Sequence, residues 1–179
     1  MSVASFRLQP RMVVLAMALL VLAIAVKWWY RTATLDQLDF VLWPVANAIT
    51  LFTGATWIVV PGEGYVFRSL GMVIDRSCSG INFMVIVWIT FAFVLLRRSA
   101  AGCLSPYMAL LAGVAAYLLT ILTNTGRILS MVMLHQQEIQ LGQKQHEGLG
   151  AFFFISILVL SSMLLDRSLQ RHTTHATLA

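Results

Sequence analysis

Charge is what this chain has least of. Only 11% of its 179 residues are charged, and seven of them are acidic. A water-soluble globular domain carries about 25% charged residues, so the wetted surface such a domain needs is missing. Cysteine is as scarce: Cys78 and Cys103 are the two present. At unrelated positions they make neither a disulfide framework nor a Cys-based zinc site. A metal site through His135, Glu138 and His146 lacks tight ligand spacing. Internal repeats and low-complexity segments are absent as well.

What is present is apolar. Hydrophobic residues make up 59% of the chain and mean hydropathy is +0.83, against about 45–50% apolar in soluble domains. The reading is a polytopic membrane protein of a single domain, 1–179. A net charge of +5 in a soluble chain would point to nucleic acid. Here the basic residues flank apolar runs, which is membrane topology, and no nucleic-acid partner is expected.

A bilayer core takes roughly 20 helical residues. Stretches 12–30, 80–96, 106–126 and 149–165 meet that length. A shorter one, 40–53, contains Pro44, Asn47 and Thr50 and reads as an interfacial helix. In 55–77, the β-rich pieces Trp57–Val60, Tyr65–Phe67 and Met72–Ile74 are separated by Pro61-Gly62-Glu63-Gly64 and Ser69–Gly71, which is hairpin punctuation. The expected fold class is all-α: a small bundle of about four transmembrane helices, an interfacial helix and a short extracytoplasmic β-hairpin. Arg7, Arg11 and Ala23-Ile24-Ala25 also fit a cleavable signal peptide. The apolar run continues through Trp28-Trp29-Tyr30, which favours an uncleaved anchor.

With the N-terminus inside, the pairs Arg7/Arg11, Arg97/Arg98 and Arg167/Arg171 are cytoplasmic, and Asp36, Asp39, Glu63, Asp75, Glu138 and Glu147 lie outside. This orientation puts Cys78, Arg127 and His146 on one side, each near a span end. Cys103 falls in the opposite loop and cannot pair with Cys78.

Each of the three has a plain reading beside a chemical one. A free cysteine is usually a small buried hydrophobe. Cys78, however, precedes a helix, whose unpaired N–H groups favour a thiolate. Ser79 and Gly80 beside it leave room for a substrate carbonyl, and Asn82 lies one turn on. Arg127 is apolar-flanked on both sides in "YLLTILTNTGRILSMVML". Its side chain either snorkels to headgroups or binds a carboxylate or oxyanion, which its planar fork of donors suits. Asn124 precedes it by three residues, on the same helical face. His146, in "QKQHEGLG", is an ordinary loop histidine or a proton carrier, with His135 its competitor for that role.

At these residues the chain resembles the exosortase/archaeosortase family of membrane cysteine transpeptidases. It has "SCSGINF" around Cys78, "NTGR" from Asn124 to Arg127, and "HEGLG" from His146. With the upstream "LFTGATWIVVPGEGYV", it is most similar to the compact exosortase K type. The resemblance covers roughly residues 35 to 165. It implies a cysteine protease/transpeptidase of the bacterial inner membrane, with its active site on the extracytoplasmic face. Such an enzyme needs no cofactor or metal. Cys78, Arg127 and His146 would be catalytic, and Asn82, Asn124, Ser79 and Gly80 supporting. The partners implied are membrane lipid and the C-terminal sorting tail of secreted proteins, a motif followed by a transmembrane helix. A cell-envelope polysaccharide or lipid would be the acceptor. The rival reading is a non-enzymatic subunit of an envelope assembly or transport complex, with Arg127 as an anion site. A thiol oxidoreductase would ask for a second cysteine on the same side.

Overall fold

A computed structural model of the chain describes residues 10–98, 105–137 and 143–176. The first helix, α1 (Pro10–Thr32), ends at a capping box. The Thr34 hydroxyl accepts the Gln37 N–H at 3.4 Å, and the Gln37 side-chain oxygen accepts the Thr34 N–H at 3.1 Å. Two orphan donors are satisfied reciprocally, and the chain restarts as α2 (Leu35–Thr53), bent by 100° from α1. The helix expected from residue 40 therefore begins one turn earlier.

Along α2, Leu38, Val41, Leu42, Val45, Ala46 and Ile49 are all fully buried, at the spacing of one helical face. Pro44 interrupts this helix and has no N–H to give the Phe40 carbonyl. The Tyr117 hydroxyl donates to that carbonyl instead, at 2.6 Å, so the orphaned acceptor binds α2 to a later helix. Gly54, in the left-handed region at φ 71°, closes α2 by donating its N–H to the Thr50 carbonyl.

Three strands follow, β1 (Ile58–Val60), β2 (Gly64–Phe67) and β3 (Met72–Ile74), in an antiparallel sheet of order β1-β2-β3. The expected hairpin is thus a three-stranded meander, because Gly71 adopts φ 61° and lets the chain reverse a second time. A Cβ on Gly64 would collide with the Ile74 carbonyl. Tyr65, Phe67 and Ile74 join the α2 side chains, with Ile128 and Val132, in the largest apolar cluster.

The remaining helices are α3 (Ile81–Arg98), α4 (Pro106–Gln136) and α5 (Gln143–Ala176). α3 and α4 run antiparallel, since Gly80 lies against Thr120 and Asn124 while the Trp88 indole donates to the Ala109 carbonyl at 3.1 Å. Ala112, Gly113 and Ala116 let the two backbones approach, with Trp88 over Gly113. α5 lies against both, but lightly. Among the described residues no apolar side chain of α5 is fully buried, whereas Phe152, Ile155, Val159, Leu160, Met163 and Leu164 are exposed.

α3, α4 and α5 are each long and apolar enough to cross a membrane, and the bent α1–α2 pair is a fourth candidate. The protein is an integral membrane protein. α4 carries on past residue 126, because the apolar sequence continues through Leu134 with no helix breaker. Asn124 and Arg127 consequently sit inside a helix and not at its exit.

Candidate active site

The segment Asp75–Gly80 joins the sheet to α3. The Asp75 carboxylate accepts the Ser77 N–H at 2.9 Å and the Ser77 hydroxyl at 2.6 Å. These bonds cap a single 3-10 turn, Arg76–Cys78. Gly80 follows in the left-handed region at φ 67°, and a Cβ there would come within 3.0 Å of the Thr120 methyl. Only glycine lets the chain press on α4 and then enter α3.

Cys78 therefore precedes α3 without occupying its first turn. Its own N–H is spent on the Asp75 carbonyl at 3.0 Å, and that of Ser79 on the Arg76 carbonyl at 3.1 Å. The thiol is free and half-buried, with its sulfur 3.9 Å from the Ser77 hydroxyl.

Two helices hold this segment. From α4, the fully buried Asn124 donates its amide to the Cys78 carbonyl. From α1, Tyr30 donates its hydroxyl to the Arg76 carbonyl at 3.0 Å and accepts the buried Ser79 hydroxyl at 3.3 Å. Arg76 returns the contact, its guanidinium 4.9 Å above the Tyr30 ring and donating to the Tyr30 carbonyl. In the sequence Tyr30 only closes an apolar run, and its hydroxyl contacts depend on the fold. No local pattern announces them.

One turn beyond Asn124, Arg127 faces α5. Its guanidinium lies 5.5 Å from the centre of the Phe154 ring, a cation–π distance. Gly150 packs against it, and a Cβ there would lie in ordinary contact with Arg127 Cδ at 3.4 Å. The Arg127 Nε and the Asn124 Oδ1 are both buried with no hydrogen-bond partner among the described residues. Buried polar atoms in that state are uncommon and ask for a role. Phe154 also stacks on Phe83 at 4.6 Å. With Phe83, Tyr30, Ser77, Gly80, Ile81, Asn82 and Ile86 it walls a cleft of about 220 Å³.

Cys78, Ser79, Gly80 and Asn124 are thus in one cluster, with Asn82 on the cleft wall and Arg127 joined to that wall through Phe154. His146 lies in the first turns of α5, one helical turn before Gly150, and not ahead of the helix. Its side chain lies outside the described residues, as do the His135 side chain, Cys103 and Glu138. Phe154 was passed over in the sequence, where "AFFF" reads only as the start of an apolar run. Compared with known proteins, the chain matches no family model, no curated protein and no solved structure.

The half-buried Cys78 thiol follows Ser77 of the cleft wall in the chain, and the Arg127 guanidinium lies against Phe154 of the same wall. That pairing suits acyl transfer.

Proposed function

We propose that the protein is a membrane-embedded cysteine peptidase/transpeptidase of the exosortase kind, acting on the C-terminal sorting tails of secreted proteins. The observation that carries this reading is the bond from the Asn124 amide to the Cys78 carbonyl. It ties the thiol-bearing turn to α4, one turn from Arg127. The basic flanks of the spans favour an active site on the extracytoplasmic face of a bacterial inner membrane.

Cys78 attacks the scissile carbonyl as its thiol proton passes to the His146 imidazole. The tetrahedral oxyanion rests on the Arg127 guanidinium. The C–N bond then breaks, and the leaving amine takes the proton back from His146, leaving a Cys78 thioester. An acceptor amine or hydroxyl attacks the thioester, forms the new acyl bond and releases the Cys78 thiol. A site that excludes bulk water favours this transfer over hydrolysis.

The test compares the C-terminal peptides of envelope proteins, by mass, from cells with the protein, without it and with Cys78→Ala. The Ala variant should accumulate in the membrane and leave sorting tails uncut, as in the deletion. Normal processing by Cys78→Ala would overturn the enzyme reading in favour of a non-catalytic subunit.

A further inference from the structure

Two clefts flank the Arg76–Tyr30 stack, and their linings differ in kind. The larger, of about 580 Å³, is walled by Ala33, Leu35, Gly62, Glu63, Val73, Asp75 and Arg76, and so carries both signs of charge. The smaller, of about 220 Å³, has no charged residue in its wall. Its body is Ile81, Phe83, Ile86 and Phe154, and its polar groups, Tyr30, Ser77 and Asn82, are few. Ser77 and Gly80 in that wall bracket Cys78 in the sequence. Benzene occupies an apolar cavity of about 150 Å³, so this space admits one side chain of Phe or Leu size. A charged group entering it would leave hydration for a wall with few polar partners and no opposite charge.

From this we infer that the smaller cleft is a specificity subsite, taking one bulky apolar side chain of the substrate polypeptide next to the bond that Cys78 attacks. The inference rests on the peptidase reading for its substrate, but not for its measurement. Ile86 is the specificity-determining position. It is half-exposed in α3, on the cleft wall, and its side chain sets how much of the space is free.

Thiol reagents of graded size read the subsite directly. Benzyl methanethiosulfonate and methyl methanethiosulfonate each form a mixed disulfide with Cys78 and expel methanesulfinate. The full chain, in lipid nanodiscs and with Cys103→Ser so that one thiol remains, is treated with each reagent and followed by intact mass. The benzyl reagent should react about tenfold or more faster than the methyl one, within the roughly 10–200-fold range that apolar pockets give. Partition of the benzyl reagent into lipid also raises its rate, so the decisive quantity is how the ratio responds to Ile86. Ile86→Trp fills the cleft and should cut the benzyl-to-methyl ratio at least about fivefold, with the methyl rate unchanged. Ile86→Ala enlarges it and should move the preference from benzyl to naphthylmethyl. A ratio indifferent to both substitutions overturns the subsite. If tails are cut by Cys78 but the ratio does not move, only the subsite falls. If the ratio moves while Cys78→Ala still processes tails, the cleft binds apolar groups and the peptidase reading fails.

Discussion

The candidate site is assembled from two halves that are held in different ways. On one side, α2, the sheet and the middle of α4 share the largest buried cluster, and the Cys78 turn is bonded into it through Asn124 and Tyr30. On the other side, α5 brings Gly150 and Phe154 to Arg127 with no fully buried apolar side chain of its own among the described residues. The Cys78 thiol stands on the fixed half. The guanidinium is oriented by the lightly packed half. Elements with few buried contacts are the ones that move at low cost, so α5 shifts more easily than the Cys78 turn opens.

The largest effect should come from Arg127, where the halves meet. A guanidinium lying on an aromatic face and offering a planar fork has no equivalent in an ammonium. Arg127→Lys should lower turnover at least about tenfold, and Arg127→Ala on the order of 10²–10³, the usual cost of a lost oxyanion donor. Protein level and alkylation of Cys78 should hold in both. A fully active Lys variant would reduce Arg127 to a snorkelling anchor and dissolve the contrast between the halves.

Glycine substitutions probe the packing difference with opposite signs. On the fixed half, Gly80→Ala must hold a left-handed φ of 67° and press on Thr120 at 3.0 Å. The conformation alone costs about 1–2 kcal/mol, and each kcal/mol lowers the melting midpoint by about 2–4 °C in a chain of this size. On α5, Gly148 has open space around it and no positive φ. Gly148→Ala should raise the midpoint slightly, since Ala is favoured over Gly in a helix by about 0.5–1 kcal/mol. Thermal unfolding in detergent, followed by circular dichroism, measures both. Equal shifts of one sign would show that the two halves are packed alike.

Much of the frame was legible because it follows from local rules. Apolar length marked the spans, and Gly and Pro marked the sheet turns. The start of α2 was legible too, in Thr34-x-x-Gln37, but the apolar run from Phe40 drew the boundary later than the capping pair warranted. The meeting of Cys78 with Asn124 is another matter. They are 46 residues apart, and no spacing rule connects them; the family resemblance put them in one list, and helix packing puts them in contact. Tyr30 and Phe154 were invisible as site residues because an aromatic in an apolar run looks the same whether it faces lipid or a guanidinium. Cys78 was read as preceding a helix, and it does: Gly80 takes a left-handed turn and α3 begins at Ile81.

A further small effect tests how the sheet is fastened to the fixed half. Tyr65 of β2 is buried, stands edge-on to Trp57 at 4.8 Å, and donates its hydroxyl to the Asp39 carboxylate of α2 at 2.9 Å. Burial pushes its pKa from 10.0 up to about 12, helped by the bond to Asp39 and by the charges of Asp39 and Asp36. The neutral phenol is therefore the form the fold prefers. With the folded value above the unfolded one, its stabilisation is complete below pH 10 and is lost as pH climbs through about 12. Tyr65→Phe keeps the ring and removes the donor, which should cost about 1 kcal/mol, or about 2–4 °C, at neutral pH. The melting curves of the two proteins should then converge between pH 10 and about 12, because only the native one has a phenol to ionise at position 65. A constant gap across that range would mean that the Tyr65–Asp39 bond does not fasten the sheet. The cluster of Phe67, Ile74 and α2 side chains would then hold it by packing alone.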